Sequence, residues 1–175
     1  MGLRKFTCYR RVKRAYTRKS KYKHQSFVKG VPPIKLTKFD FGDLKRSFAA
    51  QVDLVSKEKI QVRHNSLESA RQVVIRKLTE MSKPYMFRVR PYPHHVLREN
   101  KMLTGAGADR MQTGMQLSFG KPISSAAQLG VDQPIFSVYV DKDAVELAKL
   151  ALRGAMPKLP GRCGIVEAIP KKLSK

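Results

Sequence analysis

Acidic residues are missing from the first 39 positions of this 175-residue chain: thirteen Lys and Arg precede Asp40, the first carboxylate. That absence excludes a self-contained fold for the segment. Unopposed cations repel one another, and too little apolar surface is present to offset the entropy of ordering. Cysteine is nearly absent as well. Cys8 and Cys163 stand at opposite ends, which leaves neither a disulfide framework nor the closely spaced pairs of a zinc site. Two reduced thiols in an intracellular protein is the simplest reading. No apolar run approaches the roughly 20 residues of a membrane span, and the basic start lacks the apolar stretch of a signal peptide. Met1-Gly2 opens a myristoylation motif, but Phe6 stands where Ser or Thr is required. A soluble cytosolic protein with no membrane partner is expected.

What is present is positive charge. The formal net charge is +23; the first 39 residues carry +13 of it, and the other 136 carry 23 basic against 13 acidic side chains. The folded part should therefore also have a basic face. Phe6, Tyr9, Tyr16, Tyr22 and Phe27 are threaded through the basic run. Cations that displace condensed counterions, interleaved with rings that stack on bases, suit a nucleic acid. With 42% hydrophobic residues, 8 Phe and 6 Tyr, the rest can form a core, which excludes a wholly disordered protein.

The length fits one domain plus an arm. Residues 1–38 read as an extended basic arm with a stiff joint at Gly30-Val31-Pro32-Pro33, residues 39–170 as a single α+β domain, and 171–175 as a basic tail. Ala50, Val52 and Leu54 alternate with polar residues and predict a strand over about 49–55; Ile60 and Val62 suggest another. A helix is predicted from near Asn65, with Asn65 as N-cap and Glu68 completing a capping box. Leu67, Ala70, Val74, Leu78 and Met81 form its apolar stripe, and Pro84 bars continuation. In Phe87-Arg88-Val89-Arg90 the apolar pair should face the core and the arginines the opposite side. Met115, Leu117 and Phe119 alternate, as do Phe136, Val138 and Val140. A second helix is predicted from Asp141 or Asp143 to Ala155, capped by Asp143 with Glu146, with Val145, Ala148, Leu152 and Ala155 buried and Gly154 and Pro157 ending it. A last strand lies near Cys163–Ala168. The elements do not alternate strictly, so a mixed, largely antiparallel sheet with two main helices is expected.

Three segments could carry chemistry. His94, His95 and Glu99 invite an enzymatic reading, an RNA-processing activity, but adjacent histidines on a strand point to opposite faces, and helical metal spacing would place them four apart. Beside Arg98 and Lys101 these imidazoles suit phosphates or bases better. Gly105-Ala106-Gly107-Ala108-Asp109-Arg110 begins like a dinucleotide fingerprint, yet Arg110 stands in place of the third glycine and no buried parallel strand precedes it. A protruding loop over 101–114, flanked by Lys101 and Arg110, is the expectation. Arg63 and His64 immediately precede the first helix, where a phosphate could sit; local packing of His64 is an equal alternative. No activated nucleophile or paired carboxylates are arranged for catalysis, so the chain is not expected to be an enzyme, and no cofactor, metal or small-molecule substrate is indicated.

Taken together, Cys8-Tyr9-Arg10-Arg11, Tyr16-Thr17-Arg18-Lys19, Arg63-His64-Asn65-Ser66-Leu67-Glu68, the run Tyr92–Lys101, Gly105–Arg110 and Phe119-Gly120-Lys121-Pro122 resemble the L16/L10e family of large-subunit ribosomal proteins over nearly the whole chain. The length resembles an archaeal-type member. The resemblance implies an α/β-hammerhead-like domain, large-subunit rRNA and neighbouring ribosomal proteins as partners, a position near the aminoacyl-tRNA site, and a loop matching 101–114 that reaches toward tRNA. On this reading Arg4, Lys5, Arg10, Arg11, Arg14, Arg18, Lys19 and Lys21 contact rRNA phosphates from an arm that orders only on assembly, while Tyr9 and Tyr16 stack on bases. Arg63, His64, Arg88, Arg90, His94, His95, Arg98, Lys101 and Lys121 form a second rRNA surface. Lys101, Gly105, Ala106, Gly107, Ala108, Asp109 and Arg110 form the tRNA-proximal loop.

Overall fold

A computed structural model of the chain describes residues 4–12, 22–25, 28, 30–100 and 120–168. Arg14, Tyr16, Arg18, Lys19, Lys21, Lys101 and Gly105–Arg110, expected as a loop, lie outside the described residues, as does the expected alternation through Met115, Leu117 and Phe119.

Among the described residues, eight strands and two α-helices follow one another as β1 (Asp40–Gly42), β2 (Ala50–Ser56), β3 (Ile60–Arg63), α1 (His64–Glu80), β4 (Met86–Val89), β5 (His95–Glu99), β6 (Lys121–Leu129), β7 (Pro134–Val140), α2 (Val145–Ala155) and β8 (Cys163–Ala168). The strands make two sheets, of five in the order β1-β4-β7-β2-β8 and of three in the order β3-β6-β5. Every pairing among the described strands is antiparallel. The α+β class expected from the pattern is the class observed, with the sheet split in two.

The helices pack against one another; α2 lies against β2, β7 and β8 of the larger sheet, α1 against β3 and β6 of the smaller one, and their apolar stripes join both sheets in one core. Val52 and Leu54 of β2, Phe87 and Val89 of β4, and Phe136, Val138 and Val140 of β7 all point into this layer and are fully or almost fully buried. Leu67, Ala70, Val74 and Leu78 meet them from α1, as the three- and four-residue spacing dictates. Phe87 and Phe136 lie 5.3 Å apart between ring centroids, tilted by 48°, the offset geometry that aromatic quadrupoles favour. Burying such a side chain contributes on the order of 2 kcal/mol of transfer free energy.

Local details differ from the expected capping. α1 begins at His64, with Arg63 as an extended N-cap that makes no side-chain cap bond. Asn65 is already inside the helix, and Glu68 faces Arg71 and Gln72 instead of the helix start. A guanidinium offers two charge-assisted bonds where a capping box offers one neutral donor. At α2 the chain first makes a 3-10 turn, Lys142–Ala144, again without a side-chain cap. Asp141 is engaged by Arg46 at 2.7 Å, and Glu146 by Lys149 at 2.6 Å. Gly154 lies within α2 and does not end it; a Cβ there would meet Lys77 Nζ at 2.6 Å, so glycine leaves room for that side chain. The helix stops in a second 3-10 turn containing Pro157.

Described residues before Asp40 also belong to the fold. Leu36 is 2% exposed within the main core and Val28 is buried. Phe6 packs against the same core from a short 3-10 turn, Phe6–Cys8.

Candidate nucleic-acid interface

Residues 4–12 are docked on the three-stranded sheet, where an arm ordering only on assembly was expected. β3 is an edge strand, and edges present unpaired backbone donors and acceptors. The Gln61 amide donates to the Arg10 carbonyl at 3.2 Å, and the Gln61 side chain donates to the Tyr9 carbonyl at 3.0 Å. Arg63 donates to the Arg4 carbonyl at 3.1 Å.

Tyr9 is turned inward by this docking. Its hydroxyl donates to Glu99 Oε2 at 2.7 Å, and the Arg63 guanidinium covers its ring at 5.6 Å from the centroid. Burial, then the bond to Glu99, pushes the Tyr9 pKa up to about 12. The ring expected to stack on a base is thus held against the domain by a cation–π contact.

His64 is buried as well, and its Nδ1 accepts the Lys35 amide at 3.1 Å. Burial lowers its pKa, with Lys35 and Arg63 adding like-charge repulsion. A neutral ring that receives a backbone bond fixes the segment after Pro32-Pro33; it does not face outward to a phosphate.

The cations divide into two groups. Arg4 pairs with Glu99 at 3.3 Å, Arg10 with Glu58 at 3.1 Å, and Arg88 with Asp40 at 2.6 Å. Lys5, Arg11, Arg90 and Lys121 are exposed and form no ion pair among the described residues. Arg98 is half-buried at the end of β5.

Beside Arg90 the surface carries a stack of rings that sequence reasoning missed. Phe39 lies against Tyr92 with centroids 5.6 Å apart and planes 25° apart. Tyr92 in turn lies 6.5 Å from the His94 ring, with planes 6° apart. His94 Nδ1–H donates to the Tyr92 carbonyl at 3.0 Å, which locks the two rings in register. Tyr92 is 53% exposed, while the prolines on both sides, Pro91 and Pro93, are buried. The alternation in Pro91-Tyr92-Pro93-His94 was the available signal: it seats both prolines and lifts Tyr92 and His94 to the surface.

The enzymatic arrangement is not assembled. Glu99 is taken by Tyr9 and Arg4, His94 by Tyr92, and half-buried His95 starts the β5 ladder. Among the described residues no three His, Cys, Asp or Glu side chains gather as a metal site. No helix among them is long and apolar enough to cross a membrane.

Known proteins resemble this chain over nearly its whole length. The family model for ribosomal protein L16p/L10e matches residues 12–166. The large ribosomal subunit protein uL16 of Metallosphaera sedula is 43% identical over 180 aligned residues, covering 100% of this chain and 99% of the relative. The uL16 of Methanococcus maripaludis strain S2 is likewise 43% identical, with 100% and 99% covered. That of Methanospirillum hungatei is 45% identical over 89% of each chain. A match of this extent and specificity settles the family: the chain belongs to the ribosomal protein L16p/L10e family.

Proposed function

We propose that this chain is a structural constituent of the large ribosomal subunit, bound to rRNA in the cytoplasm, and that it helps shape the tRNA-binding corridor near the aminoacyl-tRNA site. The observation that carries the rRNA reading is the open cation Arg90 beside the exposed Tyr92–His94 stack. A ring platform next to an unpaired guanidinium offers a stacking partner for a base and a donor for its phosphate. Lys5, Arg11 and Lys121 extend the positive surface. Arg14, Tyr16, Arg18, Lys19 and Lys21 are assigned to the same rRNA contact, Arg98 and His95 to its border along β5, and Lys101 with Gly105–Arg110 to the tRNA side. Neighbouring ribosomal proteins complete the set of partners. Arg4, Arg10, Arg63, His64 and Arg88 support this interface by holding the docked segment and the sheet.

The function proposed is non-enzymatic, and changing His94 and His95 together to Ala tests it. Large subunits assembled with the double variant should show weakened rRNA contact at this site and no accumulating precursor RNA. Accumulation of an unprocessed RNA with rRNA affinity unchanged would overturn the reading. Tyr92→Ala should weaken rRNA binding by about 1–3 kcal/mol, the range for one base–aromatic stack.

A further inference from the structure

β5 ends at Glu99 and β6 begins at Lys121, and these two residues face each other across the ladder. They form the neck from which residues 101–119 leave the sheet. Gly120 makes the neck tight. Its φ is +78°, and a Cβ there would lie 2.5 Å from the Glu99 carbonyl carbon and 2.7 Å from the Asn100 nitrogen. Only glycine allows that approach.

The neck is also held from the side. Glu99 turns its carboxylate toward residues 4–12, where Tyr9 donates to Oε2 at 2.7 Å and Arg4 Nε lies 3.3 Å from Oε1. The Glu99 side chain is 9% exposed, so a carboxylate largely removed from water depends on these two partners. Tyr9 and Arg4 are themselves fastened to β3 through Gln61 and Arg63. The start of the chain therefore ties one outer strand of the small sheet, β3, to the end of the other, β5.

We propose that Tyr9 is a positioning residue: its hydroxyl, together with the Arg4 guanidinium, fixes the neck that carries residues 101–119. A two-stranded neck held only by its own ladder can twist about that ladder. A charge-assisted bond from a second direction removes this freedom. The pin itself stands on the geometry above. Its consequence for tRNA rests on the function proposed for the 101–119 segment, and it links an rRNA-facing segment to a tRNA-facing one through a single carboxylate.

The test is hydrogen exchange on the full-length protein carrying Tyr9→Phe, which keeps the ring over Arg63 and removes only the hydroxyl. Amides of residues 97–100 should exchange about tenfold faster, a larger change than in β2 and β7, with the melting temperature lowered by the lost bond to Glu99. Unchanged exchange at 97–100 would overturn the proposal. Should Tyr9→Phe fail to fold, Arg4→Gln carries the same prediction. Large subunits reconstituted with Tyr9→Phe, or with residues 104–112 deleted, then separate the two layers. Both should bind tRNA at the aminoacyl site more weakly. A deletion that leaves tRNA affinity unchanged would overturn the tRNA reading, with the exchange result still deciding the pin. A deletion that weakens tRNA while Tyr9→Phe does not would overturn the positioning role.

Discussion

Arg88 lies bidentate on Asp40, with Nε 2.6 Å from Oδ1 and Nη2 3.0 Å from Oδ2. The first carboxylate in the chain thus takes up an arginine that the strand pattern aims away from the core. The pairing follows from register: β1 sits beside β4 with Asp40 opposite Arg88, the cross-strand placement in which opposite charges stabilise a sheet. The bonds to Asp40 raise the Arg88 pKa further.

Arg88 should therefore matter little for RNA. Arg88→Gln is expected to lower rRNA affinity less than Arg90→Gln, measured side by side in a binding titration at one salt concentration. Its cost in stability should stay within about 1 kcal/mol, as for a partly exposed pair. An Arg88→Gln variant that loses as much affinity as Arg90→Gln would contradict the division of cations described above.

The centre of the fold is Phe87 against Phe136. Phe87→Ala should destabilise the protein by about 3–5 kcal/mol, because the emptied volume lies between two sheet strands and the helices and cannot collapse. Denaturant midpoints give the number. A loss below about 1 kcal/mol would mean that this layer is not the core.

His64 predicts a pH dependence with a definite sign. Its folded pKa lies below the ordinary imidazole value of about 6.5. The unfolded chain then takes up a proton that the native state refuses, and stability falls as pH drops below about 6.5 and levels off once the pH is under the lowered folded value. Above about 6.5 the contribution is fully present. Comparing thermal unfolding of the parent and His64→Gln between pH 7.5 and 5 checks this; identical slopes would contradict it. Tyr9 carries the opposite sign. Its pKa is raised to about 12, so its contribution is complete below about pH 10 and disappears as pH rises through 12.

Salt separates the docked from the open cations. If about ten cations meet phosphate, log affinity for rRNA should fall with log salt at a slope of roughly −7 to −9. Removing residues 1–30 should flatten that slope and leave a cooperative thermal transition, at a lower midpoint because Phe6, Tyr9 and Val28 go with it. A full-length slope near −2, or loss of the transition in the truncated chain, would contradict this assignment.

Periodicity made the core legible. Leu67, Ala70, Val74 and Leu78 are buried where their spacing put them, and Phe87 and Val89 face in while Arg88 faces out. The last strand has the bounds Cys163–Ala168 that its composition suggested. Patterns of this kind are set within a few residues. The docking of Tyr9 on Glu99 joins positions 90 apart, and nothing near either residue announces the other. Residue type identified the basic surface, yet which cations remain open depended on strand register and on the few carboxylates nearby. Both expected capping boxes failed for the same reason, since Glu68 and Glu146 found charged partners on their own helices that a local motif does not weigh.

The most direct test is ultraviolet crosslinking in cells with RNA and peptide mapped together. Crosslinks from the peptide spanning Arg90 to His94, and from Lys5 to Arg11, should fall on large-subunit rRNA, with those from Lys101–Gly114 reaching tRNA. Crosslinks scattered over messenger RNA, or none at Tyr92, would contradict a ribosomal protein that grips rRNA through this surface.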